Sequence, residues 1–307
     1  MAWTTVIAQA APVAAVVSFV TTITSKLYLD RRAHRDQLEI DYQYEQRKAL
    51  RSLIGRHHGM LLDHATSWHN RMSNIYANCA ECWLDVGGEY ARPSYYFDST
   101  IYRFLSLQAH AQLFEDEQVF IDSRVVGERD LDFVKFVKAL HWVMSDVAIY
   151  DGLEYDKNAG RDHFMSDRLR AACEAFAEEG RVPSYRTFQT KLKPGPAALK
   201  RFELAEVCQF FDGVSPVEPR LRWDRLVCLH LIVIAFVRAF GYEWLRPTPI
   251  DVTNAASKIN NALVAQNMTL WLPRLGLANH EESRDVRNAL QQRAAAATRA
   301  RRGAPAK

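Results

Sequence analysis

The first 25 residues of the chain carry no charged side chain, and this run constrains the fold more than any other stretch. The run reads MAWTTVIAQAAPVAAVVSFVTTITS. A helix that crosses a membrane needs about 20 mostly apolar residues, so the run is long enough to span one. Its strongest apolar side chains are those of Val6, Ile7, Val13, Val16, Val17, Phe19, Val20 and Ile23. The sequence therefore predicts a single transmembrane helix over residues 1–25, anchored in membrane lipid by these side chains.

Charges beside this run predict its orientation. Basic residues flank it only on the C-terminal side, beginning with Lys26 and Arg31. The positive-inside rule places that side in the cytoplasm and the N-terminus outside. The five cysteines are an odd number and do not suggest a disulfide framework, in agreement with a reducing compartment. The expected localisation is the cell membrane, in a single pass, with the rest of the chain cytoplasmic.

Two other interpretations of the N-terminal run remain open. A secretory signal peptide has a basic segment before its apolar core, and no Lys or Arg precedes this one. Its A-x-A pattern, Ala8-Gln9-Ala10, also comes too early to follow a complete apolar core. A buried or interfacial helix of a soluble protein is the second alternative.

A long helical stalk is predicted over residues 26–90. No proline occurs between Pro12 and Pro93, and apolar positions recur every three or four residues from Leu50 to Cys79. Gly55 and Gly59 weaken this helix, and the pair at 87–88 is expected to end it. The apolar stripe favours packing against the protein's own body, and self-association as a coiled coil is the alternative.

Residues 91–292 alternate between helical apolar stripes and turn signals, and no long run alternates with a period of two. They predict a compact multi-helix body, so the whole chain is expected to be all-α. The segment Leu226–Val237 is apolar on every side but too short to span a membrane, which predicts the central buried helix of that body. Residues 293–307 carry five basic and no acidic residues and predict a disordered basic tail.

Metal-ligating residue types occur in two places. Cys79 and Cys82 stand three residues apart on one helix face and would supply half of a tetrahedral zinc site. Asp162 and His163 lie in an acidic loop region, and oxygen ligands suit hard cations. Neither pattern supplies a complete ligand set, so packing and capping roles are the simpler interpretation. No metal and no cofactor are predicted, and these four residues are retained as weak candidates.

Charged and imidazole side chains suggest further contacts. Three arginines at the start of the central helix predict a weak anion or partner contact: Arg220, Arg222 and Arg225. His57 and His64 fall on the apolar stripe of the stalk, where a pH-sensitive contact is an alternative to simple packing. His230 lies inside the apolar central helix, so it must find a hydrogen-bond partner or remain neutral at a cost.

Function is constrained mainly by what the sequence lacks. It contains no phosphate-binding G-x-x-x-x-G-K-[ST] loop and no G-x-G-x-x-G turn, and no catalytic residue is assigned. A net charge of +3 is too small to indicate nucleic acid as a partner. The leading hypothesis is a membrane-anchored protein that binds a protein partner or itself, as a scaffold, sensor or assembly component. The alternatives are a metal-dependent helical enzyme near Asp162 and His163, or a membrane-perturbing effector of a bacterial defence or toxin system.

Overall fold

The computed structural model describes residues 2–122, 126–158, 160–177, 180–192 and 202–303. Within these residues the fold is all-helical, as predicted, and contains no strand. The α-helices in chain order are α1 (Ala2–Ala77), α2 (Tyr95–Gln118), α3 (Glu128–Ser145), α4 (Ser166–Phe176), α5 (Tyr185–Leu192), α6 (Phe202–Phe211), α7 (Arg222–Phe240), α8 (Pro249–Ser257), α9 (Ala262–Arg274) and α10 (Glu281–Gly303).

No helix in the described part of the chain is long and apolar enough to cross a membrane. The transmembrane helix predicted over residues 1–25 therefore has no support from the structure; these residues form the start of α1. Two of the predicted anchor side chains are described, and Phe19 and Ile23 are 67% and 41% exposed. The other six lie outside the described side chains: Val6, Ile7, Val13, Val16, Val17 and Val20.

Contacts divide the chain into two compact units. The first contains α1 up to Leu50 together with Ile121, Asp122 and Val126. Within it the Tyr42 hydroxyl donates to the Asp122 carboxylate at 3.4 Å, and the backbone N–H of Asp122 donates to the side chain of Gln46 at 2.8 Å. The second unit contains residues 51–120 and the chain from Gly127 onward. The predicted stalk, residues 26–90, thus contributes to both units.

Helix α7 forms the centre of the second unit. Its residues from Arg222 to Arg238 are all buried, and it packs against α3, α8 and α10. A helix that is apolar on every side is stable only inside a core, which is why Leu226–Val237 takes this place. The predicted central buried helix is confirmed.

The second unit also buries the apolar stripe of α1. Leu53, Leu61, Trp68 and Met72 are at most 1% exposed. The Trp68 ring lies 5.8 Å from the ring of Phe104 in α2. Burying one large apolar side chain contributes about 1.5–3 kcal/mol, so this stripe fixes the second half of α1 in the core.

Helix α1 ends at Ala77, nearly three helical turns before the glycine pair that was expected to stop it. A 3-10 turn over Cys79–Glu81 follows, and Cys82 adopts a left-handed backbone with φ of 49°. Beyond it, the Asp212 carboxylate accepts the backbone N–H groups of Val86 and Gly88 at 2.9 and 2.8 Å. These bonds satisfy backbone donors outside the helix, so the chain leaves α1 early.

The C-terminal region of the second unit contains α8, α9 and α10. A break separates α8 from α9, where the buried Asp224 carboxylate accepts the N–H groups of Asn260 and Asn261. The last helix, α10, continues to Gly303, past residue 293 where a disordered tail was predicted to begin. Residues 304–307 of that tail lie outside the described residues.

Candidate functional site

A polar cavity of about 400 Å³ lies between α1, α7 and α8 in the second unit. Helix α1 contributes His69, Ser73 and Tyr76, which share one helix face because they are spaced four and three residues apart. Helix α7 contributes His230, the one polar side chain between Arg225 and Arg238 in that helix. Side chains of α8 and the residue that follows it complete the lining: Asp251, Asn254, Ser257 and Lys258.

Two imidazoles and a phenol form one hydrogen-bonded chain at this cavity. The Nδ1 atom of His69 lies 2.8 Å from Nε2 of His230. The Nδ1 atom of His230 lies 3.0 Å from the hydroxyl of Tyr76. His230 is 1% exposed and uses both ring nitrogens in this chain, so α1 supplies the partners that a histidine in an apolar helix requires.

All three groups of the chain are held neutral. Burial lowers the pKa of His230 well below its ordinary value, and the neighbouring His69 lowers it further. Burial also lowers the pKa of His69, although the Asp251 charge opposes this shift. The pKa of the Tyr76 phenol is raised, again because of burial. Each imidazole therefore carries one proton near neutral pH, and the proton's position is set by the hydrogen bonds.

The hydrogen-bonded chain of His69, His230 and Tyr76 can hold its protons in two arrangements. In one, Tyr76 donates to His230, His230 donates to His69, and Nε2–H of His69 remains a donor. In the other, His69 donates to His230, His230 donates to Tyr76, and Nε2 of His69 becomes an acceptor while the Tyr76 hydroxyl is free to donate. Both end groups line the cavity. The site can therefore bind a polar ligand and pass a proton between its two ends.

The predicted anion-contact arginines have acceptors within the protein. Arg220 pairs with Asp162 at 3.2 Å, and Arg222 pairs with Glu218 at 2.7 Å. The fully buried Arg225 donates to the carbonyls of Val143 and Asp146, and its guanidinium lies 4.1 Å from the centre of the Tyr150 ring. The structure thus places these three arginines in separate contacts that join the start of α7 to neighbouring segments.

The weak metal candidates are not brought together with further ligands. Asp162 accepts from Arg220 and from the backbone N–H of Leu221, and His163 is buried beside the ring of Tyr155. Cys79 and Cys82 are exposed free cysteines on the wall of a cavity of about 280 Å³. Among the described residues no group of three or more His, Cys, Asp or Glu side chains has a geometry suited to a metal ion.

The stalk histidines at 57 and 64 lie in a second imidazole cluster. Nδ1 of His57 is 3.2 Å from Nε2 of His110, and Nε2 of His57 is 3.0 Å from the Glu117 carboxylate. The His64 ring lies 5.5 Å from that of His110. Burial, with the neighbouring His64 and His57, lowers the pKa of His110 to about 3. These histidines are packed between α1 and α2, which makes this cluster a less open site than the cavity at His69.

Comparisons with known protein families, with curated proteins and with solved structures gave no match. Reasoning from sequence had identified His230 as a residue in need of a partner, but it had not joined it to His69 and Tyr76. His69 and Tyr76 are seven residues apart in α1, so they lie on the same face of the helix. This spacing could have predicted that both side chains contact the same neighbouring residue.

Proposed function

We propose that the protein acts by binding, and that the cavity at His69, Tyr76 and His230 holds a polar ligand or a polar group of a partner. The observation that carries this proposal is the hydrogen-bonded chain itself, because its two ends line the cavity and offer one donor and one acceptor in either proton arrangement. Asn254 and Ser257 add further hydrogen-bonding groups at the rim. A neutral group with both a donor and an acceptor suits this lining.

The same proposal includes attachment to a membrane through residues 2–25. It rests on the uncharged run of the sequence and on the basic residues that follow it from Lys26, and not on the structure, in whose described part no helix qualifies as a span. With the positive-inside rule it places the body of the protein on the cytoplasmic side. Five free cysteines are in keeping with a reducing compartment.

The exposed part of α1 is proposed as the contact for a protein partner or a second copy of the chain. Between Thr21 and Ala49 all side chains are exposed except Gln43 and Gln46, which are half-buried. Several of the exposed side chains are large and apolar: Leu27, Leu29, Leu38, Ile40 and Tyr44. They lie on two sides of the helix, Leu27 and Leu38 on one and Leu29, Ile40 and Tyr44 on the other. Exposed apolar side chains grouped in this way are typical of a surface that binds another molecule.

A photo-crosslinking amino acid at Ser73 tests the cavity as a binding site. Ser73 is exposed at the rim, so the group should capture the bound molecule in living cells, where mass spectrometry identifies the adduct. The adduct should be lost when Tyr76→Phe and His69→Gln remove the two ends of the chain. The same crosslinking group at Thr253, an exposed α8 residue that does not line the cavity, is the matched control. An adduct that survives both substitutions, or none at all, contradicts the proposal.

A further inference from the structure

A second polar cavity, of about 290 Å³, lies between α1 and the beginning of α2. Its lining combines two arginines with small polar and aromatic side chains: Ser67, Asn70, Arg71, Asn74, Tyr95, Tyr96 and Arg103. Neither the predicted anion contact at the start of α7 nor the histidine cavity shares a residue with it. It is therefore a separate site with its own chemistry.

Arg71 is a buried cation without a carboxylate partner. It is 6% exposed, its Nη2 donates to the Ser99 hydroxyl at 2.7 Å, and its guanidinium lies 5.2 Å from the centre of the Tyr96 ring. Within the described part of the chain no carboxylate lies within ion-pair distance of it. Burial lowers the pKa of Arg71, and the charge of Arg103 lowers it further. A buried charge of this kind usually requires a counter-ion.

Arg103 stands near Arg71, and its hydrogen-bond acceptors among the described residues are likewise neutral. Its Nε donates to the Ser67 hydroxyl at 3.0 Å, and its Nη1 donates to the backbone carbonyl of Ser99 at 3.2 Å. Two other buried arginines of the unit have carboxylate partners, because Arg222 pairs with Glu218 and Arg238 pairs with Glu282, each at 2.7 Å. The fully buried Arg225 donates instead to backbone carbonyls and to the Tyr150 hydroxyl, and it does not line this cavity. Two guanidinium groups of like charge thus face one cavity, and neither has a carboxylate partner among the described residues.

The remaining lining suits an anion with several oxygen atoms. Tyr95 and Tyr96 form the first turn of α2, where the helix dipole adds partial positive charge. The amides of Asn70 and Asn74, together with the Tyr95 hydroxyl, can donate further hydrogen bonds. A phosphate dianion matches two positive charges and accepts more hydrogen bonds than a carboxylate can.

We propose that the cavity at Arg71 and Arg103 binds a phosphate group, presented as inorganic phosphate or as a phosphate monoester. Arg71 and Arg103 donate to its oxygens and supply the compensating charge. This site shares no residue with the histidine cavity, so a negative result at one site leaves the proposal for the other unaffected. The phosphate reaches the protein either as a soluble compound or as a lipid headgroup, and both sources present the same chemistry.

Calorimetric titration of the full-length protein with three probes tests this site: inorganic phosphate, glycerol phosphate and a short-chain phosphatidic acid. Saturable binding of at least one probe is expected, and the tightest of the three identifies the source. Arg103→Gln and Arg71→Gln should each weaken it by about tenfold to a hundredfold, because each removes a charge-assisted contact. Arg92→Gln is the matched control, since Arg92 is exposed, pairs with Glu89 and does not line this cavity; the affinity of this variant should stay within about twofold of that of the wild type.

Folding of each variant is checked by circular dichroism, because Arg71 is buried. If Arg71→Gln does not fold, Arg71→Lys replaces it; this variant keeps the charge but loses the planar fork, and should still weaken binding. The half-exposed Arg103 gives a variant that does not depend on the core. No saturable binding of any probe by the wild type, or binding by Arg103→Gln as tight as that of the wild type, overturns the proposal.

Discussion

A buried histidine needs a hydrogen-bond partner for each ring nitrogen, and two buried histidines of this protein differ in whether they have such partners. His230 has partners for both nitrogens, in His69 and Tyr76. His141, in α3, is 1% exposed and has no partner for either nitrogen among the described residues. Burial, and secondarily the charge of Arg170, lowers the pKa of His141 to about 4. The imidazole of His141 is therefore neutral near pH 7, and its protonation destabilises the folded state.

We predict that His141→Phe makes the free energy of unfolding less sensitive to acid. Between about pH 6.5 and pH 4 the unfolded chain binds a proton at His141 that the folded chain excludes, so the wild type loses stability as the pH falls through this window. Changing from about pH 7 to about pH 5 should cost the wild type about 2 kcal/mol more than it costs the variant. Urea denaturation at the two pH values measures this difference.

Other groups affect both proteins equally. Burial raises the pKa of Glu115 to about 7 and that of Asp224 to about 6, and both shifts have the opposite effect on stability as the pH falls. They are present in wild type and variant alike, so they cancel in the comparison. His34→Gln, at an exposed position of α1, is the control and should leave the pH dependence unchanged. Equal slopes in wild type and His141→Phe disprove the assignment.

The sequence indicates that the buried histidine at position 230 needs a hydrogen-bond partner. The two arginines of the second polar cavity were not predicted as a site. The requirement of His230 for a partner could be stated from its apolar neighbours alone. The arginines at 71 and 103 were overlooked, although neither has an acidic residue three or four positions away on its helix. Arg222, by contrast, has Glu218 four residues before it and forms that ion pair. A helical arginine with no acidic residue three or four positions away is therefore the pattern that could have marked these residues. The cavity that they line is formed by the packing of α1 on α2, which the sequence does not show.

In helix α1, tertiary packing overrides the low helix propensity of two glycines. Gly55 and Gly59 each weaken a helix by about 1 kcal/mol relative to alanine, yet α1 passes through both without a break. The buried stripe of Leu53, Leu61 and Trp68 fixes the helix on either side of these glycines. The periodicity of the sequence predicted this stripe. The end of α1 could not be predicted, because it depends on bonds to the distant Asp212.

Gly55→Ala and Gly59→Ala are expected to stabilise the protein. A Cβ atom at either position meets nothing within 4 Å, and alanine loses less backbone entropy than glycine when a helix forms. Each substitution should raise the free energy of unfolding by roughly 0.5–1 kcal/mol in urea denaturation.

The control for this pair of substitutions is a glycine with a different conformation. Gly213 has a φ of +69°, which L residues rarely adopt, so Gly213→Ala should destabilise the protein. A loss of stability in Gly55→Ala or Gly59→Ala would mean that α1 is bent or interrupted at that position.

The all-helical fold of the described part of the chain agrees with the absence of long period-two runs and with the strong helical periodicities of the sequence. Its helix boundaries depended on long-range bonds such as those of Asp224 to Asn260 and Asn261, which no local pattern contains. Membrane attachment is also a property of the whole protein, because the uncharged run before Lys26 would interact with lipid and not with another part of the chain. Its test must therefore be made on the whole protein in cells.

We predict that the full-length protein sediments with membranes and that deletion of residues 2–25 moves it to the soluble fraction. The eight strongest apolar side chains of the run contribute about 2–5 kcal/mol to insertion, and a lysine at the centre of a spanning helix costs about 2.5–3.5 kcal/mol. Val16→Lys alone should therefore offset most of the driving force and release much of the protein, whereas Val16→Leu should not. Immunoblots of fractionated cells measure the distribution. Full-length protein that is already soluble without detergent refutes the attachment, and it does so without affecting the cavity at His69 or the phosphate site at Arg71.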